Sequence, residues 1–154
     1  MQLRRVLVLL GVAAVGVVGV QGTASAAPLT RQSFSLTSPI DVEGGTVVAS
    51  GAINATGEDV VVSDTEDLFI FPAGTLTVIH APIRSHDKFN EKKCTFTVRE
   101  TGVYLISEGT GAYEGVTGSG EYRFVAHGES SPCGSEPTGT LTITARGSIN
   151  LPEG

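Results

Sequence analysis

The stretch TLTITAR at residues 140–146 alternates polar and apolar side chains with a period of two. Successive side chains of an extended strand point to opposite faces, so Leu141, Ile143 and Ala145 share one face. The intervening threonines and Arg146 share the other. This pattern is typical of an antiparallel strand with one buried face and one solvated face.

The same alternation recurs along the chain, and no stretch shows helical spacing of apolar residues over three turns. With no helix to cover an open sheet, closure into an antiparallel β-barrel of about eight strands removes the exposed edges. A two-sheet β-sandwich is the alternative, because the pattern alone does not separate the two. The predicted strands cover residues 32–37, 45–55, 59–63, 67–71, 75–80, 94–99, 102–107, 121–127 and 139–149.

The N-terminus has the features of an export signal. Two arginines precede an apolar run over residues 6–20, and residues 24–26 read Ala-Ser-Ala, a small-x-small cleavage site. The run is shorter than the roughly 20 residues that span a bilayer. We therefore predict a signal peptide at 1–26 and a secreted, extracellular domain at 27–154, with its core at about 45–149 and no membrane association after cleavage.

The mature chain is strongly acidic. The full sequence has 10 basic and 16 acidic residues, and loss of the two leader arginines leaves 8 against 16, a net charge of −8. Beyond Lys92-Lys93 there is no basic patch. Nucleic acid and anionic membrane surfaces require clustered positive charge, so neither is an expected partner.

Cys94 and Cys133 are predicted to form a disulfide, because two cysteines in an exported protein generally pair. Closing a loop of this length stabilises the fold by about 4 kcal/mol through chain entropy. A metal site or a reactive thiol is the alternative. Zinc is disfavoured because no histidine stands at ligand spacing from either cysteine, and no metal is expected.

The polar segment 84–93 is predicted to be a surface loop near one end of the barrel. It contains Arg84, His86, Asp87 and Lys88, and it leads directly to Cys94. A second loop is predicted at 129–137. The acidic residues at 64–67 lack the glycine and terminal glutamate of a calcium loop, so a solvated turn is expected there.

Residues 109–120 read GTGAYEGVTGSG, a glycine-rich crossing in which Tyr113 could plug one end of the barrel. A phosphate-binding loop would require a following helix, whereas a strand is predicted at 121–127. The stretch resembles the G-T-G-x-[FY]-x-G-x-x-G signature of the allene oxide cyclase-like and dirigent-like β-barrel superfamily, especially its small exported actinobacterial members. The resemblance is strongest over about 100–127, and the strand rhythm extends it over about 45–149.

That resemblance implies an eight-stranded antiparallel barrel with a largely apolar lumen and no metal or redox cofactor. Plant allene oxide cyclases cyclise a fatty-acid epoxide, dirigent proteins orient phenoxy radicals, and spirotetronate cyclases fold a polyketide. These proteins share a shaped cavity that selects one reactive conformer. Barrels of the dirigent-like type often associate, which leaves a homodimer or a homotrimer open.

The candidate catalytic residues are His80, Tyr122 and Glu108. His80 lies on an apolar strand face and could act as acid, base or ligand anchor, or bond a backbone carbonyl at the edge of the core. Tyr122 could donate to a ligand carbonyl or pack as core. Glu108 could be an inward general acid or base, or a solvated turn residue. The candidate ligand-binding residues are Leu76, Val78, Phe96, Tyr104 and Phe124.

These observations lead to three hypotheses. The first is a barrel that binds a small, mainly apolar organic molecule, with an isomerase or cyclase as the expected activity if the protein is an enzyme. The second is a non-enzymatic structural or interaction protein whose barrel is filled by its own side chains. The third is a secreted inhibitor acting through 84–93. No Gly-x-Ser-x-Gly elbow is present, which disfavours a hydrolase.

Overall fold

The barrel consists of eight strands in chain order, each antiparallel to its neighbours. The computed structural model describes residues 28–152, so the predicted signal peptide at 1–26 lies outside the described residues. The strands are β1 Thr30–Pro39, β2 Gly45–Gly51, β3 Ala55–Ser63, β4 Glu66–Phe71, β5 Gly74–Asn90, β6 Thr95–Gly109, β7 Thr117–Glu129 and β8 Thr138–Asn150.

Pairing of β1 with β8 closes the barrel. The pairing runs without interruption from Thr30 opposite Ile149 to Pro39 opposite Thr140. Along β1 the side chains of Phe34 and Leu36 are buried inside, and Ser35 between them is exposed. The predicted closed barrel is therefore confirmed, and the sandwich alternative is wrong.

Two predicted strand boundaries were wrong, one because the chain stays extended through a glycine and the other because the chain bends within a predicted strand. The predicted strands 94–99 and 102–107 form the single strand β6, which runs through Gly102. The predicted strand 45–55 is divided by a turn at residues 52–54, so that β2 ends at Gly51.

The predicted surface loop at 84–93 is also wrong, because most of it belongs to β5. The strand continues past Pro82 through a register shift and then pairs with β6 from Arg84 to Asn90. Every residue from 81 to 90 is exposed, since this part of the hairpin projects beyond the barrel core. Its polarity therefore reflects solvent on both faces and not irregular backbone.

One end of the barrel, here called the floor, is tightly packed. Leu76, Ile106 and Ile149 are almost completely buried there. The glycine-rich crossing forms a short 3-10 helix, Gly111–Tyr113, and Tyr113 packs edge-on against Phe71 with ring centroids 6.1 Å apart. Tyr113 thus plugs this end, as predicted. Within residues 28–152 no helix is long and apolar enough to cross a membrane.

The opposite end, here called the mouth, is where the β1–β2, β3–β4, β5–β6 and β7–β8 connections lie. The predicted disulfide joins Cys94 to Cys133 with a Cα–Cα distance of 5.5 Å, and so connects the β5–β6 turn to the β7–β8 loop. The Ser130 amide donates to the Cys94 carbonyl at 2.9 Å beside it. The wall of the mouth is therefore braced on the side formed by β5 to β8.

Candidate functional site

A cavity of about 390 Å³ occupies the upper half of the barrel and opens at the mouth. Its walls are mostly apolar because the inward positions of the strands carry the hydrophobic half of each alternating pattern. The aromatic and aliphatic lining side chains include Phe34, Leu36, Phe69, Val78, Phe124 and Ile143.

Two of the three predicted catalytic residues reach this cavity. His80 and Tyr122 line it, and their rings meet edge to face with centroids 5.7 Å apart. Glu108 is exposed and lies outside the lining, so the inward orientation considered for it was wrong. A register shift between the Thr77 and Val78 pairs reverses the phase of β6 there and turns Glu108 outward.

Three of the five predicted ligand-binding residues line the cavity, namely Val78, Tyr104 and Phe124. Leu76 is fully buried in the floor beneath it. Phe96 lies above it, where its ring covers Gly128 on the neighbouring strand. Neither Leu76 nor Phe96 belongs to the lining, because β5 and β6 extend beyond the cavity at both ends.

His80 is held by two partners. Its Nε2 atom lies 3.3 Å from Oδ2 of Asp67, and its backbone amide donates to the Thr65 carbonyl at 2.9 Å. Burial raises the pKa of Asp67, and the nearby His80 opposes that rise. The pair can hold a proton between imidazole and carboxylate at the wall of the cavity.

Tyr122 is oriented by Glu100. Its hydroxyl donates to Oε1 of Glu100 at 2.6 Å. Burial first, and then this hydrogen bond and the Glu100 charge, raise the pKa of Tyr122 above its ordinary value. The hydroxyl therefore stays protonated and is suited to donating a hydrogen bond rather than to acting as a base.

Asp59 is the most buried acidic residue of the lining, with 6% of its surface exposed. Burial, with a further contribution from the charge of Asp67, raises the pKa of its carboxyl to about 7. Within residues 28–152 its Oδ1 atom has no hydrogen-bond partner, and the same holds for the hydroxyl of Tyr104. Both side chains thus offer unused hydrogen-bonding capacity.

Sequence reasoning missed the three carboxylates Asp59, Asp67 and Glu100. Asp67 was expected in a solvated turn, although it stands two residues before the inward Phe69 and so shares its face. Glu100 stands two residues before Gly102 and four before Tyr104 on the inner face of β6. If residues 94–107 had been treated as one strand, alternation would have placed Glu100 on its inner face. The sequence around Asp59 gave no comparable indication that this side chain faces inward.

No group of three or more His, Cys, Asp and Glu side chains in the described part of the chain is arranged to hold a metal ion. His127 is exposed and bonds Thr97 through Nδ1 at 3.0 Å. His86 and Asp87 lie on the projecting part of β5, away from the cavity.

The fold and cavity define a class of protein: a closed eight-stranded antiparallel barrel, packed at one end and open at the other. No protein-family model matches the chain, and no curated protein or solved structure matches it significantly. The resemblance to the allene oxide cyclase-like and dirigent-like superfamily therefore rests on the glycine-rich motif, and it enters the function below as a proposal.

Proposed function

We propose that this chain is a secreted barrel that binds a small, mainly apolar organic molecule in its lumen. The observation that carries the proposal is the 390 Å³ cavity with its aromatic and aliphatic walls. Pockets for small organic ligands have volumes of roughly 300–1,000 Å³ and combine apolar walls with a few polar groups. The cavity has this size and this lining.

The two halves of the barrel favour this function over a side-chain-filled structural protein. Small eight-stranded barrels are commonly filled by their own side chains, and the floor around Tyr113 and Ile106 follows that rule. Above Val78 and Tyr104 the filling stops and the cavity begins. Open apolar surface of this kind is costly in water, which supports an occupant.

We propose further that the lumen templates an isomerisation or cyclisation of its ligand. The support is the contact between His80 and Tyr122, each backed by its own carboxylate, at one level of an apolar cavity. The Tyr122 hydroxyl, whose one proton is donated to Glu100, would accept a hydrogen bond from a ligand O–H or N–H group while His80 holds or moves a proton. The walls would restrict the ligand to one reactive conformer.

A fluorescence titration with N-phenyl-1-naphthylamine, a neutral apolar probe, tests ligand binding. Ala145 is buried in the lining, and the adjacent Thr144 is exposed on the outer wall. Ala145→Phe fills the lumen, so we expect at least tenfold weaker probe binding. Thr144→Phe adds the same ring outside and should bind like the wild type. Circular dichroism and thermal unfolding verify folding, and Ala145→Leu is a milder filling variant.

Equal binding by the wild type and both lumen variants, or no binding by the wild type, would overturn the proposal.

Native mass spectrometry of the protein from its secretion medium then identifies a bound molecule. The intact mass also tests export, since cleavage after Ala26 predicts a chain that starts at Ala27. His80→Ala and Tyr122→Phe should leave a co-purifying molecule unbound or chemically unconverted if both residues act on it.

A further inference from the structure

The charges that face the lumen are of one sign. Five carboxylates belong to its lining: Glu43, Asp59, Asp64, Asp67 and Glu100. No lysine or arginine of the described chain lines it, and each of those side chains is exposed on the exterior. His80 is the only basic side chain of the lining, and it already faces Asp67. The lumen is therefore a negatively charged, apolar-walled compartment.

Hydrogen-bond acceptors within this compartment are unused. Oδ1 of Asp59 is buried without a partner among residues 28–152, in a side chain only 6% exposed. The Tyr104 hydroxyl is also unpartnered, in a residue 4% exposed, and it lies over Gly147 at the edge of the lining. A buried polar atom without a hydrogen bond is costly, and a ligand that brings N–H donors would remove that cost.

Asp59 and Asp67 also act on one another, because they lie on the paired strands β3 and β4. The charge of Asp67 contributes to the raised pKa of Asp59 and of Tyr122, so these groups of β3, β4 and β7 lie within electrostatic reach of one another. A positive charge placed among them would relieve this repulsion. A second negative charge, such as a ligand carboxylate, would increase it.

The aromatic walls suit the same kind of ligand. Phe34 contacts Phe69 and Tyr104 with ring centroids 5.4 and 6.2 Å apart, and these three rings line the same cavity as the acidic groups. Aromatic faces accept both hydrocarbon and cationic nitrogen. An ammonium supplies up to three N–H donors, which match the unpartnered oxygens.

We infer that the lumen selects an organic cation, a protonated amine with an apolar body, whose nitrogen is held by Asp59, Asp67 and Glu100. The inference rests on the proposed function, since it names the chemical class of the molecule bound in the same cavity. The hydrocarbon part packs against Phe34 and Phe69. Organic anions are excluded by the carboxylates.

Three probes of matched shape test this inference by isothermal titration calorimetry at pH 8. They are 1-naphthylmethylamine, which is a cation, 1-naphthylmethanol, which is neutral, and 1-naphthoate, which is an anion. We expect the amine to bind at least about tenfold more tightly than the alcohol, because hydrogen bonds to charged groups stabilise a complex by that order of magnitude. The naphthoate should bind more weakly than the alcohol.

Single substitutions then test which carboxylates of the lumen bind the ammonium group of the amine. Asp59→Asn, Asp67→Asn and Glu100→Gln should each lower the ratio of amine affinity to alcohol affinity several-fold. Glu121→Gln is the matched control, because Glu121 lies exposed on the outer wall beside Tyr122 and its loss changes the net charge equally. The control should keep the full amine preference.

The outcomes separate this inference from the proposed function. If the alcohol binds and the amine has no advantage over it, the inference fails and the apolar binding function stands. An amine preference that persists in all three lumen variants overturns the inference as well. If none of the probes binds, and N-phenyl-1-naphthylamine does not bind either, both proposals fail together.

Discussion

Inward-facing glycines decide where the lumen tyrosines lie. Gly102 stands opposite Tyr122 across the β6–β7 pairing, and the Tyr122 ring lies over it. Gly120 has the same relation to Tyr104. Because glycine has no Cβ, each ring can lie flat across the neighbouring strand. The Tyr122 hydroxyl thereby reaches Glu100, which stands two residues before Gly102 on β6.

Gly102→Ala is expected to destabilise the barrel and disturb the site. The added methyl group would come within 2.5 Å of the Tyr122 ring and would also meet the Ala81 carbonyl. Such overpacking costs roughly 1–3 kcal/mol. Urea denaturation measures the loss. Val103→Ala, at an exposed outer position of the same strand, is the control and should change stability by less than about 0.5 kcal/mol. Equal effects of the two substitutions would contradict this account.

The raised pKa of Asp59 predicts how stability depends on pH. In the unfolded chain this carboxyl ionises near its ordinary pKa of 3.8, whereas the folded carboxyl keeps its proton to about pH 7. Between these values the folded state binds more protons, so the contribution of Asp59 to stability falls as pH rises and is constant above about pH 7. Each unit between the two pKa values corresponds to at most about 1.4 kcal/mol.

Asp59→Asn removes the titrating group, so the variant should gain stability relative to the wild type as pH rises. Urea denaturation of both proteins without ligand at pH 4, 5.5 and 7.5 measures the difference. We expect the difference in unfolding free energy to grow through this series in favour of the variant. Parallel pH dependence of the two proteins would show that Asp59 is not buried as described.

At the scale of elements, alternation predicted which side chains face inward wherever a strand kept its phase. The inward sets on β7 and β8, such as Tyr122 with Phe124 and Ile143 with Ala145, follow directly from the sequence. Alternation failed where the phase shifts, as at the bulge that turns Glu108 outward. A local pattern contains no information about a register set by the neighbouring strand.

The position of the site could be predicted only in part for the same reason. His80 and Tyr122 were found because each continues an apolar face. Asp67 and Glu100 meet them through the pairing of consecutive strands, β4 with β5 and β6 with β7. Which carboxylate lies beside which ring depends on the register between two paired strands, and that register cannot be read from one strand alone.

The projecting part of β5 leaves one strand edge without a partner in the described structure, because β4 pairs with β5 no further than Ile79. Edges of this kind attract other strands unless they are protected. Arg84, His86 and Lys88 lie along it, and such charges discourage pairing with a second copy. The charged segment thus has a structural explanation as well as the inhibitor hypothesis.

The disulfide should contribute strongly to stability because it closes a loop of 39 positions across the mouth. Replacing both cysteines by serine is expected to lower the free energy of unfolding by about 2–5 kcal/mol. Thermal unfolding with and without reductant measures the effect. The double serine variant should be insensitive to reductant. A wild type whose melting temperature does not change on reduction would contradict the prediction.

At the scale of the whole molecule, stability and function occupy different ends of one barrel. The floor is packed with buried side chains, and Gln32 seals it by bonding the backbone of Ile53 through both its oxygen and its nitrogen, at 2.8 and 3.1 Å. The mouth is braced by the disulfide instead of by a core. The carboxylates that would weaken a packed interior thus lie in the half of the barrel that opens at the covalently braced mouth.

The pairing of Thr30 with Ile149 places both ends of the described chain side by side at the floor. A short peptide could therefore join them, and a cut within the 134–137 loop would then give a circularly permuted chain. Either original end could equally be attached to a bead or an electrode. Attachment through either original end would leave the mouth facing the solution, so the protein could be immobilised as a sensor without obstructing its cavity.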